Sequence, residues 1–509
     1  MKILLIDPPF KSFAGFFSFY FPLGLGYLAG SCRKAGFEAR ILDMDVAEGK
    51  TGDLNFTNEY LRFKSYVEAL NNPRHPTWET LRTLVLDQKP DVIGITAMTT
   101  KFGSVIQTAR FCKQVLPHVP IVVGGAHAST MPDLTLEVPE IDYVVRGEAD
   151  ETLPRLLEAL RDRRSVEDIK GVSWRRDGRV VHNPEAPFVQ DLDTIPFPDR
   201  SALLHPQAYS SEDMGVMLTS RGCPFGCSYC FHMWNRRVRF RSIPNIIAEI
   251  REVRRQFGTA QFSLKDDSFT VSKSHVLAFC DALQREPYRI GWSCTTRVDI
   301  LDEELLVAMK KAGCNSIALG IETGSERILK ETDKGITFDQ VRRAARLLNK
   351  HRMFWSGYFM IGLPTETEED IEQTLAFLKR VNPYYAGIGV YNPFPRTKLF
   401  DQAVELGLLD PHPPLEHFLQ THPKDLFFKD PRRRVLAIPH ERFEEIRARA
   451  VQTFHAHNTR LFNLLRRGLA RHRTYLHDPS LLWRDLEKGL EFLGLRGGRD
   501  ARPADDGHA

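Results

Sequence analysis

The chain is poor in cysteine, has no long apolar run and carries almost no excess charge. Five of its eight cysteines are scattered among apolar neighbours: Cys32, Cys112, Cys280, Cys294 and Cys314. Sparse, unpatterned cysteine excludes a small disulfide-stabilised secreted domain and is typical of a reducing compartment. The first apolar run, KILLID, ends at Asp7-Pro8-Pro9 and is too short for a signal peptide or a membrane span. We therefore expect a cytoplasmic protein without a transmembrane segment.

Charge and composition set further limits. The 69 Lys and Arg residues against 65 Asp and Glu give a formal net charge of +4. This small excess does not indicate a large nucleic-acid-binding surface, and no nucleic-acid partner is expected. With 42% apolar and 26% charged residues the composition is that of an ordinary globular protein. The length of 509 residues corresponds to about three domains.

Residues 1–161 alternate short apolar strands with helices, which predicts a parallel sheet covered on both faces. In such sheets ligands lie beyond the carboxyl ends of the strands. The strand ends here carry small, flexible or polar residues: Pro8, Pro9, Thr96, Met98, Thr99, Gly124, Gly125, His127, Gly147 and Glu148. Two interpretations remain open, namely a site for a large planar or phosphate-bearing ligand, or plain tight turns between strand and helix.

The next two segments differ sharply in pattern. Residues 162–215 are rich in charge and proline, with a turn in RRDGRVV, and predict a linker with room for one hairpin. Residues 216–410 return to strand–helix alternation with six strands: VMLTS, FSLKDD, IGWSCTTR, SIALGIET, SGYFMIGLP and AGIGVYNPFP. Six such units predict a full or partial β/α barrel whose unusual residues gather at the strand ends, the catalytic face of barrels.

Residues 411–496 are predicted to form a helical C-terminal domain, and residues 497–509 a disordered tail. A long helix begins near His440, with an apolar stripe at Phe443, Ile446, Ala450, Phe454, Leu461, Leu464 and Leu469. Its other face is rich in arginine. That face is either a solvated surface of a helix packed on the barrel, or a surface that binds an acidic partner or a membrane.

The most specific pattern is SRGCPFGCSYCFHMW at 220–234, in which Cys223, Cys227 and Cys230 form C-x3-C-x2-C. Three thiols this close suit one inorganic centre better than disulfides. Zinc would need a fourth ligand, for which His232 is available. A [4Fe–4S] cluster held by three cysteines would leave one iron open.

This motif, with the aromatic Tyr229 before the last cysteine and at the end of a first barrel strand, resembles the radical S-adenosylmethionine (SAM) superfamily. The resemblance implies a [4Fe–4S] cluster whose open iron binds SAM and cleaves it to a 5′-deoxyadenosyl radical. It also implies an electron donor of the flavodoxin or ferredoxin type.

The same resemblance assigns SAM-binding residues to the motif, where Tyr229 is one, and along the barrel. Asp266 and Asp267 match the acidic pair that holds the methionine ammonium, and the GIETGSE segment places Glu322 toward SAM. The remaining matches contact the ribose, the carboxylate or the adenine side: Ser293, Thr295, Arg297, Gly362 and Pro364.

The N-terminal half resembles the cobalamin-binding class of these enzymes, through FPLGLGYLAG, VVGGAHAS and DYVVRGEADET. The resemblance implies a flavodoxin-like (Rossmann-type) parallel sheet before the barrel. The resemblance makes the strand-end residues above a cobalamin site. The chain has no D-x-H-x-x-G after its first strand, so no histidine from that position can ligate cobalt. We expect His127 to be a loop residue near the cofactor, and the lower cobalt face to be capped by a side chain or water, for example from the loop at 96–101.

The resemblance implies methylation of an unactivated carbon in a small molecule, lipid, tetrapyrrole or peptide. Two alternatives stay open: oxidative cyclisation or ring rearrangement, as in the anaerobic porphyrin cyclase, and a non-catalytic iron–sulfur or cobalamin-binding sensor. Four residues are expected at the barrel mouth: His232, Trp234, Tyr391 and Arg396. Their aromatic and basic character indicates a substrate with an apolar body and an anionic group.

Overall fold

The N-terminal half of this computed structural model is a seven-stranded sheet in the order β2-β1-β3-β4-β5-β6-β7. The structure describes residues 1–14, 20–46 and 59–477, together with residues 482, 483 and 486. The first five strands pair in parallel and the last two antiparallel. The strands are β1 (Lys2–Asp7), β2 (Glu38–Asp43), β3 (Val92–Thr96), β4 (Ile121–Gly124), β5 (Tyr143–Val145), β6 (Val172–Arg176) and β7 (Arg179–His182).

Helices cover both faces of this sheet, as the buried strands predict. They are α1 (Leu23–Lys34), α2 (Glu59–Asn71), α3 (Pro76–Gln88), α4 (Phe102–Val115), α5 (Ala126–Thr130), α6 (Pro132–Glu137) and α7 (Thr152–Arg161). Alternate residues of β1 enter separate cores: Ile3 and Leu5 pack with α1 and α7, whereas Leu4 and Ile6 pack with α3 and α4. The predicted Rossmann-type parallel sheet is confirmed.

The second sheet is an open parallel barrel of six strands in the order β15-β14-β13-β12-β11-β8. Its strands are β8 (Val216–Met217), β11 (Gln261–Leu264), β12 (Gly291–Thr296), β13 (Cys314–Glu322), β14 (Trp355–Ile361) and β15 (Tyr385–Val390). A separate antiparallel pair, β9 (Ser220–Arg221) and β10 (Arg239–Phe240), lies on either side of residues 222–238, which we call the cysteine loop. The predicted partial β/α barrel is confirmed.

Seven helices accompany these strands: α8 (Ile243–Phe257), α9 (Lys273–Arg285), α10 (Glu303–Lys311), α11 (Glu326–Glu331), α12 (Phe338–Lys350), α13 (Glu368–Val381) and α14 (Lys398–Glu405). Local sequence fixes their ends. Thr337 and Gln340 form a capping box at the start of α12, and α8 begins at the Ser242 cap and ends at Gly258 in the left-handed conformation.

The C-terminal part contributes α15 (Leu415–Gln420), α16 (His440–Thr459) and α17 (Leu461–His477). The chain first returns to the N-terminal sheet, where Phe400 and Phe418 pack in the core beside Phe102. It then crosses to the barrel, whose core includes Phe443 and Phe454 of α16. No helix in the described part of the chain is long and apolar enough to cross a membrane.

The predicted apolar stripe is wrong beyond α16. The helix breaks at Arg460, which has φ −55° and ψ 127°, and this break rotates the residues that follow. Leu461 and Leu469 of α17 are therefore 71% and 69% exposed. Arg466 and Arg467 instead turn toward the barrel and donate to the carbonyls of Asn382 and Tyr384.

A buried carboxylate fastens the linker to the barrel. Glu249 of α8 is completely buried and accepts hydrogen bonds at 3.1 Å from both terminal nitrogens of Arg200 and at 2.5 Å from Arg241. Arg200 also donates to the carbonyls of Met214 and Val216, just before and at β8. A buried ion pair of this kind is costly to break because the remaining charge loses its partner.

We predict that Glu249→Ala lowers the free energy of unfolding by about 3–5 kcal/mol, because two buried guanidinium groups lose their counterion. Urea denaturation followed by circular dichroism measures this. Glu252→Ala on the same helix is the matched control, because Glu252 pairs with Arg255 at the surface and exposed pairs contribute little. Equal effects of the two substitutions would contradict the assignment.

Candidate functional site

A cavity of about 330 Å³ lies where the carboxyl ends of the N-terminal strands face the barrel. Its sheet wall is formed by residues at the ends of β3, β4 and β5, among them Thr96, Gly124, Gly125, Gly147 and Glu148. Leu23, Gly24 and Tyr27 of α1 form a second wall. The barrel supplies Leu218, Arg221, Met233, Trp234 and Lys265. The cavity therefore belongs to both halves of the chain.

Glycines give this cavity its room. A Cβ atom on Gly24 or Gly147 would meet no atom within 4 Å, so a side chain there would enter the open space. Gly125 has φ +104°, and a Cβ there would lie 2.7 Å from the Ala97 carbonyl oxygen, so the tight turn after β4 requires glycine. The walls are mostly apolar, with glycines at the ends of β4 and β5, which suits a large flat ligand.

The structure divides the predicted strand-end residues. Thr96, Gly124, Gly125, Gly147 and Glu148 line the cavity, as described above. The other five are not among its lining residues: Pro8, Pro9, Met98, Thr99 and His127. Both prolines and Thr99 are buried behind the wall, and Met98 is 52% exposed.

His127 departs most from its prediction, because it lies inside helix α5 and is fully buried in the core. Its ring lies 3.9 Å from the ring of Phe102, and Nδ1 is 3.3 Å from the Thr99 hydroxyl. Burial lowers the pKa of His127 to about 3, so its imidazole is neutral. The expected loop histidine is a core residue.

A buried charge network joins the sheet to the barrel beside this cavity. Arg221 donates to Asp150 at 2.7 and 3.1 Å and to Glu148 at 3.1 Å. Arg239 donates to both oxygens of Glu148, at 2.7 and 2.8 Å. Each of these four side chains is at most 7% exposed. Because the charges compensate one another away from water, this Arg221 network holds the loop after β5 against the strand pair β9–β10.

The same arginine leads directly into the cysteine loop. Its guanidinium lies 5.0 Å from the ring centre of Tyr27 and 5.6 Å from that of Trp234, both of which line the cavity. Gly222 follows with φ +101°, and a Cβ there would lie 2.5 Å from the Arg237 carbonyl oxygen. The cysteine loop therefore forms one wall of the cavity and is anchored at its start.

The three thiols lie on the accessible side of this loop. Cys223 and Cys227 are half-buried, and Cys230 is exposed. Backbone contacts hold the middle of the loop, since Ser228 N–H donates to the Thr332 carbonyl at 2.8 Å and Leu399 N–H donates to the Ser228 carbonyl at 2.9 Å. Burial and the neighbouring thiols raise the pKa of Cys230 to about 12, so binding of a metal centre must displace protons.

Zinc and an iron–sulfur cluster need different arrangements of the thiols. Among the described residues, no three His, Cys, Asp or Glu side chains form a group that could hold a single metal ion. A tetrahedral zinc site needs its ligands around one atom at about 2.0–2.3 Å. A cluster is different, because each cysteine binds its own iron and the thiols can stand farther apart. The donor set fits a cluster held by three cysteines.

The acidic pair after β11 splits into two roles. Asp266 is buried, and one of its oxygens accepts from Thr219 N–H at 3.0 Å, from the Thr219 hydroxyl at 2.8 Å and from the Ser220 hydroxyl at 2.6 Å. Asp267 is exposed on the side of the cysteine loop, and desolvation raises its pKa against an opposing hydrogen bond from Gly222. Asp266 thus braces β8 and β9, and Asp267 is available to a ligand.

Strand alternation sorts the barrel residues into two faces. One face packs into the hydrophobic core of the barrel, with Leu264, Cys294, Ile321, Phe359 and Ile361. The alternate positions turn to the concave face of the barrel: Ser263, Lys265, Ser293, Thr295, Ala318, Gly320, Glu322, Tyr358, Met360, Gly387 and Gly389. The predicted Ser293, Thr295 and Glu322 are therefore brought to one surface.

Glu322 is held in an unusual conformation by a lysine. Its φ is +71°, beside a register shift in the β13–β14 pairing, and a non-glycine residue held there is strained. Lys334 Nζ lies 2.5 Å from Glu322 Oε1 and donates to the Tyr229 hydroxyl at 3.3 Å. A Cβ on Gly320 would come within 2.3 Å of the same carboxylate oxygen. This Glu322–Lys334–Tyr229 group lies directly beside the cysteine loop.

Arg297 completes the polar rim near the thiols. It lies 3.8 Å from the Cys227 sulfur, stacks 3.6 Å from the Phe225 ring centre and donates to the Lys334 carbonyl at 2.6 Å. Asp299 pairs with its other edge at 3.0 Å. The Arg297 guanidinium is therefore fixed in place and carries its positive charge beside the Cys227 sulfur.

The G-x-P turn after β14 is shaped by a buried acid. Gly362 has φ +83°, and its N–H donates to Glu366 at 2.5 Å, as does Leu363 N–H at 3.2 Å. Burial raises the pKa of Glu366 to about 8. Pro364 is buried and its carbonyl accepts from Leu436 N–H. Gly362 and Pro364 thus lie at the end of β14, on the same rim as Glu322.

Fold and site together define a two-part enzyme: a ligand-binding α/β sheet joined to an open β/α barrel with three clustered thiols. The profile of the Radical SAM superfamily matches residues 217–378, and that of the B12 binding domain matches residues 14–157. An uncharacterised methyltransferase of Pyrococcus horikoshii is 32% identical over 438 residues, which cover 82% of this chain and 89% of the relative.

Two further comparisons agree. The anaerobic magnesium-protoporphyrin IX monomethyl ester cyclase of Rubrivivax gelatinosus is 30% identical over 419 residues, covering 79% of this chain and 70% of the relative. The structure of TsrM, a radical SAM methyltransferase from Kitasatospora setae with cobalamin and a [4Fe–4S] cluster bound, matches with a TM-score of 0.64. That match is 18% identical, covers 80% of this chain and 78% of the other, and shows the fold alone.

The chain belongs to the radical SAM superfamily, in the branch that carries a B12-binding domain. Its cofactors are a [4Fe–4S] cluster, SAM and cobalamin. The residues present fit them: three free, accessible thiols in one loop for the cluster, and a glycine-walled cavity for the corrin.

Several site residues escaped the sequence analysis. Arg221 adjoins the cysteine motif, and that adjacency was its only signal in the sequence. Asp150 and Lys334 gave none, because their roles depend on partners 71 residues away for Asp150 and 12 for Lys334. Two residues expected at the barrel mouth do not line the cavity. Tyr391 is 2% exposed and belongs to a small hydrophobic core, and Arg396 is not among the cavity-lining residues.

We predict that Asp267→Ala weakens SAM binding about tenfold or more, because a hydrogen bond to a charged group is worth about 1.5–3 kcal/mol. Equilibrium dialysis with anaerobically reconstituted protein measures this, with iron content determined in parallel. Asp266→Ala is the neighbouring control, and it should lower the thermal midpoint instead because three donors lose their acceptor. Unchanged SAM affinity in Asp267→Ala would refute this division of roles.

Proposed function

We propose that this chain transfers a methyl group from SAM to an unactivated carbon of a substrate bound between the cavity and the concave face of the barrel. One observation carries the proposal: Met233 and Trp234, directly after the cysteines, line the same cavity as the strand ends of the B12-binding sheet. A substrate in this space is in reach of both cofactor sites, and proximity of that kind is the main requirement for transfer between bound groups.

The proposed roles follow the geometry. Cys223, Cys227 and Cys230 hold the cluster. Asp267, Glu322 and Arg297 supply two carboxylates and one fixed cation for the amino and carboxylate groups of SAM, while Ser293, Thr295, Gly362 and Pro364 border its nucleoside. When bound, the cluster supplies reductive cleavage of SAM and the cobalamin supplies a methyl carrier. Electrons come from a donor of the flavodoxin or ferredoxin type.

The cobalamin is proposed to bind without a histidine from this chain. No imidazole belongs to the described lining of the cavity, and His127 is neutral and enclosed by Phe102 and Thr99. The strand ends at Thr96, Gly124, Gly125 and Gly147 present small side chains and backbone groups to the corrin face. A side chain or water near residues 96–101 would take the place of a histidine at the cofactor.

A second candidate is oxidative cyclisation, which the 30% identity to the cyclase of Rubrivivax gelatinosus favours. Cyclisation would use the same cofactor sites but would transfer no methyl group from SAM to the product. The two candidates therefore differ in where the methyl group of SAM ends.

Methyl-labelled SAM separates them. Holoprotein reduced anaerobically and incubated with small-molecule extract is expected to place the label on one product, detected by mass spectrometry. Protein reconstituted without cobalamin and the Cys227→Ala variant, which loses its cluster, should place none. Formation of 5′-deoxyadenosine and an altered but unlabelled compound would favour cyclisation, and label transfer by Cys227→Ala would overturn the proposal.

A further inference from the structure

Among the residues that the structure describes, Lys265 on the concave face of the barrel has no carboxylate partner. Lys265 follows β11 directly, lines the cavity and is exposed. In the described part of the chain it forms no ion pair, whereas Lys334 on the same face is paired with Glu322. Its sequence neighbours do not neutralise it, because Asp266 turns inward to Thr219 and Ser220 and Asp267 lies toward the cysteine loop.

One aromatic ring packs against this lysine, and a second lies farther along the same face of the barrel. Its Nζ lies 4.6 Å from the ring centre of Tyr20, which is 48% exposed. Tyr20 is close enough to Tyr358 of β14 to raise the pKa of that phenol, after the larger effects of burial and Tyr385. A tyrosine face attracts a cation, so Tyr20 steadies the ammonium group without removing its charge.

Tyr358 of β14 presents an exposed ring on the same concave face of the barrel. It is 46% exposed, and its ring lies over Gly387 of β15, where a Cβ would come within 2.8 Å of Cδ1. The next position on this face, Gly389, has nothing within 4 Å of a Cβ. The surface between β14 and β15 is therefore a bare aromatic wall, suited to the face of a planar or aromatic body.

We infer that Lys265 binds an anionic group of the substrate, a carboxylate or phosphate, while a planar apolar body lies along Tyr358 above Gly387. This inference names the substrate class for the proposed function and rests on it only in placing substrate between the two cofactors. An exposed lysine on the same face as a bare aromatic surface provides a charged contact that orients such a ligand.

The test uses 1-naphthoate as an aromatic anion and 1-naphthalenemethanol as its neutral analogue. Binding to holoprotein with saturating SAM is followed by saturation-transfer NMR, in wild type, Lys265→Gln, Lys265→Arg and the matched control Lys273→Gln. Lys273 is an exposed lysine at the start of α9, and it is paired with Asp302. Iron and cobalamin contents are measured for each protein.

We expect naphthoate to bind wild type, Lys273→Gln and Lys265→Arg, and to bind Lys265→Gln at least tenfold more weakly, with the neutral alcohol unaffected. Tyr358→Ala should weaken both probes. The inference is overturned if naphthoate does not bind wild type in the presence of SAM, if Lys265→Gln binds it equally, or if Lys265→Gln loses cobalamin. No methyl transfer is needed, so failure of the proposed function is seen separately in the labelling experiment.

Discussion

The arrangement of the site depends on the Arg221 network. Two guanidinium groups and two carboxylates are buried together at the seam between the sheet and the barrel, with every charge compensated by hydrogen bonds of 2.7–3.1 Å. Such a group is not a strong source of stability, but its members cannot move independently, because each would leave an uncompensated charge behind. Its effect is to fix geometry: the loop after β5 and the start of the cysteine loop become one unit.

The polar residues around that unit are held in place by their neighbours. The barrel places its apolar side chains toward the helices and its polar ones toward the concave face, and the residues beside the thiols are fixed by neighbours rather than free to rotate. Lys334 fixes Glu322, Asp299 fixes Arg297 and the backbone at Thr332 fixes the loop. Preorganised charges of this kind suit a charged ligand that must dock in one orientation.

The sequence predicts well whatever follows from periodicity and local spacing. Continuous Val/Ile strands with helical crossovers indicate the Rossmann-type sheet, six strand–helix units indicate the open barrel, and C-x3-C-x2-C indicates the cluster loop. These features are local, so they are visible in a single chain. The resemblance to a known superfamily then supplies roles that spacing alone leaves open.

The errors have physical causes that lie outside local pattern. His127 and Gly125 are close in sequence, but the start of α5 turns the histidine into the core, where Phe102 encloses it. Asp266 and Asp267 differ in role because Thr219 and Ser220 of the neighbouring segment bind Asp266, whereas Asp267 remains exposed. Arg221 and Lys334 act through partners from distant elements. The stripe of α16 fails in α17 because one residue, Arg460, breaks the helix.

The central claim is that the cysteine loop and the cobalamin cavity form one site. Cys230 and the cavity-lining Trp234 are four residues apart, so at most roughly 14 Å of extended chain separates them. Electron paramagnetic resonance of holoprotein holding both cob(II)alamin and the reduced cluster tests the claim directly. We predict that each signal is split or broadened by the other and sharpens when either centre is omitted. Two sharp, mutually independent signals in the doubly loaded protein would contradict it.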